Sequence, residues 1–149
     1  MLTIISHLCS LSLSLSANLP TRALASSPAL SRTGIYFGFA RLKKPRVHLA
    51  EQDRGVYPFV MSLGYNPFYG NTQRTGEVHI MHQFASDFYG LEQRVVILGY
   101  LRPEYNYETR EGLIEDIETD KRVALASLRR PLWQAYASDP FLGPGPGAE

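Results

Sequence analysis

The sequence predicts a mainly β fold, an antiparallel sheet or small barrel, with one α-helix near the C-terminus. Two observations carry this. Between Gly34 and Leu101, short runs of aromatic and β-branched residues recur, separated by glycine, proline and asparagine turn signals. After Asn106 the apolar period changes from that of a strand to that of a helix.

The elements follow in order. Leu11 to Ser16 alternates leucine with serine, the pattern of a half-buried strand. Ala17-Asn18-Leu19-Pro20 leads into a loop, Thr21 to Ser31, rich in Ser, Ala and Pro. Gly34 to Leu42 reads as a strand with Ile35, Phe37 and Phe39 on one face and the small Gly38 and Ala40 on the other. Lys43 to Arg54 is charged, is broken by Pro45, and reads as an exposed loop. Val56 to Leu63 is a further strand, ended by Gly64, and Asn66-Pro67 begins a turn. Val78 to Met81 is a short strand, and Gln93 to Leu101 gives the clearest strand signal of all.

A helix is expected from Thr109 to Arg130. Leu113, Ile114, Ile117, Ala124 and Leu128 recur on one helical face. Thr109 can cap its start, Glu111, Glu115 and Asp116 complement the positive end, and Lys121, Arg122, Arg129 and Arg130 the other. Pro131 should stop it. The Gly/Pro-rich residues 143–149 read as a disordered tail. No repeat or heptad is visible.

A chain of 149 residues, 44% hydrophobic and 11% aromatic, is one domain with enough apolar mass for a core. A net charge of +1 gives no case for a nucleic-acid or membrane-surface partner. The first fifty residues nevertheless hold six basic groups, Arg22 to Arg46, and no acid. The single cysteine, Cys9, excludes an internal disulfide framework and fits a reducing compartment. No run approaches the roughly 20 apolar residues of a membrane span. A cytoplasmic location is expected, or a mitochondrial one if the acid-free, serine-rich start is a transit segment.

Four blocks between Gly55 and Glu104 could carry chemistry. They are Gly64-Tyr65-Asn66-Pro67-Phe68-Tyr69, Glu77-Val78-His79-Ile80-Met81-His82, Asp87-Phe88-Tyr89-Gly90 and Gly99-Tyr100-Leu101-Arg102-Pro103-Glu104. Glu77, beside a short strand, can accept a proton from an attacking alcohol. His79 and His82 have H-x-x-H spacing. On a strand, positions three apart face opposite sides, and no third Cys or His lies nearby. A packed or hydrogen-bonded pair is therefore expected rather than a zinc site.

In this order and spacing the blocks resemble the riboflavin kinases, and the resemblance covers roughly residues 17–142. It implies a six-stranded antiparallel barrel of Greek-key type, with or without its first strand, plus the C-terminal helix. It implies transfer of the γ-phosphate of ATP to the 5′-hydroxyl of riboflavin, giving FMN and ADP, in a protein expected to be a monomer. Glu77 matches the family's catalytic glutamate. Ile80, His82 and Tyr89 match positions lying against the nucleotide. Arg102, Tyr105 and Tyr107 match the loop that closes over the flavin, although Tyr105 stands where other members have a lysine. Ser16 and Asn18 match the Thr and Asn of a Pro-Thr-Ala-Asn block whose oxygens hold Mg²⁺, with Zn²⁺ the alternative metal.

The match fails upstream. Residues 1–16 form an atypical N-terminal segment, and Met1 to Leu15 lacks any glycine where the family has a Gly-Arg-Gly-Ser-type phosphate loop. The alternative reading is therefore a catalytically impaired flavin-binding barrel. A barrel without its first strand would also bare a sheet edge.

Overall fold

The structure, a computed structural model, describes residues 2–5, 7–8, 16–19, 21–25, 27–43, 49–65, 70, 72–85 and 92–143. The Leu11–Leu15 part of the expected first strand, the Asn66-Pro67 turn, the Asp87–Gly90 block with Tyr89, and all of the tail beyond Gly143 lie outside them.

Seven strands form one antiparallel sheet among the described residues. They are β1 (Leu2–Ile5), β2 (His7–Leu8), β3 (Ser16–Leu19), β4 (Gly34–Lys43), β5 (Tyr57–Tyr65), β6 (Arg74–Ile80) and β7 (Glu92–Arg102), in the spatial order β1-β7-β4-β5-β6-β3-β2. The two ends of that order, β1 and β2, are separated in sequence by Ser6 alone. Leu2 to Ile5 pair with Val95 to Glu92 of β7, while His7 and Leu8 pair with Asn18 and Ala17 of β3. Counted as one interrupted strand, residues 2–8 bring the number to the expected six. They line both margins of the sheet, so β7 and β3 each have a partner there, over Glu92–Val95 and Ala17–Asn18, while the open order leaves β1 and β2 as the edges. Among the described residues no ladder joins β1 to β2, so the expected barrel is not closed by pairing.

Alternation along the strands sorts two cores onto the two faces. Leu19, Tyr36, Ala40, Leu42, Phe59, Met61, Leu63, Val78, Ile80 and Val95 pack on the inner face. Each such side chain contributes roughly 1.5–3 kcal/mol when fully buried. On the outer face Phe37, Phe39, Val60 and Val96 pack against Ala124 and Leu128 of the long helix α2 (Arg110–Leu128) and against Leu142. The segment read as a loop from Thr21 to Ser31 is instead a short helix, α1 (Thr21–Ala25), followed by a 3₁₀ turn at Pro28–Leu30. Leu24 and Leu30 are drawn into the inner core, a tertiary gain that overrides the Ser/Pro-rich composition. The expected exposed loop to Arg54 holds for Ala50 to Gln52, but Asp53, in the 3₁₀ turn Glu51–Asp53, is 2% exposed.

Thr109 caps α2 as expected, its hydroxyl accepting from the Gly112 amide at 3.2 Å. The apolar stripe is only half used. Ala124 and Leu128 are buried, but Leu113 and Ile114 are 39% and 49% exposed, because the sheet under α2 ends before its first turns. α2 ends at Leu128, just before Pro131, as expected. Pro131 opens a further helix, α3 (Pro131–Gln134), as its fixed φ allows at a first helical position.

Candidate active site

One row of directly opposed residues crosses five strands: Asn18 on β3, Glu77 on β6, Ser62 on β5, Ile35 on β4 and Arg102 on β7. Directly opposed residues share a face, with Cβ atoms about 4.5–5.5 Å apart. The row lies on the outer face, and α2 reaches it at the Arg102 end. Asn18 and Glu77 are both exposed. The carboxylate expected to be the base and the amide expected to hold a metal are thus cross-strand neighbours. Ser16 pairs with His79 two rungs along the same ladder.

At the β7 end, Arg102 is committed elsewhere. Its Nε and Nη2 donate to the two carboxylate oxygens of Asp120 at 2.9 and 2.8 Å, Nη2 also to the Tyr107 hydroxyl at 3.0 Å, and Nη1 to the Pro103 carbonyl at 3.0 Å. Hydrogen bonding to Asp120 holds the guanidinium above its usual range. Its plane lies 4.7 Å from the centre of the Tyr105 ring, and Tyr105 is 55% exposed. Tyr107 in turn donates to Asp116 at 2.7 Å, and burial, with that bond, pushes its phenol up. Arg102 is therefore a clamp between β7 and α2 that carries two tyrosines, with little donor capacity left for a ligand.

At the other end of β6 a groove of about 360 Å³ opens beyond His79. It is bordered by Ile80, Met81 and His82, and by Glu118, Lys121, Arg122 and Leu125 of α2. Both histidines reach this groove, against the alternation argument, because β6 ends at Ile80 and the chain bends at Met81. Even so, they form no metal pair. His82 Nε2 bonds Asp53 Oδ1 at 2.9 Å, its ring stacks on Tyr57 with centroids 3.8 Å apart, and Phe84 meets it edge-on. The other Asp53 oxygen accepts from the Ala85 amide at 3.1 Å. Ile80 points inward and is 2% exposed. Local sequence gave no sign of Asp53. A lone carboxylate in a polar loop reads as solvated until its partner is placed.

Burial, and next the positive charge of Lys121, lower the His79 pKa; Glu118 opposes them. The unfolded chain, with the ordinary value near 6.5, therefore takes up this proton first as pH falls. Stability should drop as pH falls below about 7, until the folded imidazole also titrates. The melting temperature measured between about pH 7.5 and 5.5 should fall less steeply in His79→Gln than in the parent. Equal slopes would contradict this assignment.

An amide oxygen beside a carboxylate offers hard oxygens of the kind Mg²⁺ takes while keeping waters and sharing substrate phosphates. No cluster of three His, Cys, Asp or Glu able to hold a metal occurs among the described residues. Among the described residues, no helix is long and apolar enough to cross a membrane.

Comparison with known proteins fits this architecture. Residues 14–128 match the family model described as Flavokinase: Riboflavin kinase, and the chain belongs to that family. A riboflavin kinase of Pyricularia oryzae is 46% identical over 125 residues, covering 78% of this chain and 62% of the relative. One of Eremothecium gossypii is 44% identical over 128 residues, covering 72% of this chain and 69% of the relative. This chain thus spans less than two thirds of the length of the first of these relatives. The crystal structure of riboflavin kinase from Trypanosoma brucei superposes with a TM-score of 0.70 over 93% of this chain and 85% of that one, at 20% identity, so it bears on the fold.

Proposed function

We propose that this protein transfers the γ-phosphate of ATP to the 5′-hydroxyl of riboflavin, releasing FMN and ADP. The observation that carries the reading is the direct cross-strand pairing of Glu77 with Asn18 on an open face. Phosphoryl transfer asks a protein mainly for positioning and charge compensation. Glu77 accepts the proton of the attacking alcohol. Asn18, with Ser16, holds Mg²⁺, which when bound neutralises phosphate charge. The nucleotide lies along the groove beyond His79, where Lys121 and Arg122 add positive charge. Of the expected nucleotide residues, His82 presents a ring already fixed by Asp53, Ile80 can offer only its backbone, and Tyr89 completes the set.

Tyr105 and Tyr107 wall the flavin, and Arg102 acts on it through them. A flat tricycle suits aromatic walls with few polar anchors. The protein acts as a monomer, in the cytoplasm or in mitochondria. The test is direct. Purified chain incubated with riboflavin, ATP and Mg²⁺ should yield FMN, resolved from riboflavin by chromatography. Flavin fluorescence quenching without any FMN would favour the non-catalytic flavin-binding alternative.

A further inference from the structure

Glu104 stands on the same face and has no part in the chemistry above. Its Oε1 accepts the Ser62 hydroxyl at 3.0 Å, and Ser62 is the residue directly opposite Glu77. Gly64, two residues on along β5 and so on the same face, makes this seat. A Cβ built there would lie 2.8 Å from the Glu104 carboxyl carbon and closer still to Oε2, so only glycine lets the carboxylate settle on the strand. The residue is exposed. Among the described residues no cation pairs with it and no further hydrogen bond engages Oε2. A carboxylate anchored by one neutral hydroxyl, with its second oxygen open, is a strong acceptor for O–H donors.

We propose that Glu104 is a specificity residue that binds secondary hydroxyls of the acceptor's side chain while Glu77 takes the proton of the terminal one. This rests on riboflavin being the acceptor. Its ribityl chain carries hydroxyls on successive carbons; Glu77 lies opposite Ser62 on β6, and the Glu104 carboxylate, reaching back from the loop after β7, rests on Ser62. With its primary alcohol on Glu77, such a chain running across Ser62 presents its inner hydroxyls to the Glu104 carboxylate resting there. The arrangement selects a polyol-bearing flavin over one with a plain alkyl arm, because the latter leaves an anchored carboxylate without its partner.

The test uses the whole chain with two acceptors, riboflavin and a flavin bearing an ω-hydroxypentyl arm, which keeps the ring and terminal alcohol and lacks the inner hydroxyls. The parent should prefer riboflavin in kcat/KM by about 10–100-fold, as for a hydrogen bond to a charged group. Glu104→Ala should lose most of that preference by losing activity on riboflavin alone. Ser62→Ala, which frees the anchor, should lose part of it. Equal losses on both acceptors would reduce Glu104 to a loop dock and overturn the proposal, as would a parent that does not discriminate. Fluorescence-quenching titrations of both flavins, which need no turnover, separate this from the kinase reading. Polyol-selective binding without FMN formation would sink the kinase reading alone. FMN formation without selectivity would sink the Glu104 role alone, and no flavin binding at all would overturn both.

Discussion

Replacing Glu77 by Gln is expected to lower the rate of riboflavin phosphorylation by about 10²–10⁴-fold, the range for loss of a general base. Dissociation constants for ATP and riboflavin should stay within about threefold. The substitution keeps shape and hydrogen-bonding reach and removes only the capacity to accept the proton. Glu77 is exposed between Asn18 and Ser62, so an amide there strands no buried charge and folding should be unaffected. Single-turnover rates with both substrates saturating separate the chemical step from binding. Unchanged turnover would exclude Glu77 as the base. A fall in affinity equal to the fall in rate would make it a binding group instead.

The largest effect on stability is expected at Gly38. The pairing of β4 with β7 slips between Phe37 and Gly38, and the bulge brings the β7 backbone onto Gly38. A Cβ at this position would strike the Val96 carbonyl oxygen, 2.9 Å from its carbon and 3.1 Å from the Ile97 Cα. All three are backbone atoms, which cannot rotate away as a side chain would. Gly38→Ala should therefore cost about 3–5 kcal/mol, or about 10 °C or more in Tm for a chain of this size. Calorimetry would check it. A loss below about 1 kcal/mol would mean that the bulge relaxes freely.

Gly38 also shows what a sequence can and cannot reveal. Its smallness beside Phe37 and Phe39 was legible as an alternation, since side-chain direction on a strand is local. That the opposite strand presses on it was not, because the pressure comes from residues nearly sixty positions away. The same division runs through the site. Alternation and turn signals marked β4 to β7, and Thr109 marked the start of α2. Family resemblance singled out Glu77 and Asn18, but only the register makes them neighbours. Arg102 looked like a free anchor until Asp120, a helix residue with an unremarkable spacing, was found to hold it. The five-residue stripe on α2 overstated burial because periodicity reports which way a face points, not how far the sheet beneath it extends. The helix Thr21–Ala25 was hidden by composition, and the burial of Leu24 offsets that weak local preference.

The pairing of Leu2 with Val95 and of His7 with Asn18 also has a consequence during translation. Residues 2–8 leave the ribosome long before β7 has been synthesised, so one of their two partners does not yet exist. Leu2 to Ile5 must wait unpaired while β4 to β6 zip together behind them, and dock only when Glu92 to Val95 emerge. Closing so long a loop is slow. The nascent chain should therefore be most prone to chaperone capture in that interval, and a bulky fusion ahead of Leu2 should hinder the last docking step more than one placed after the helices.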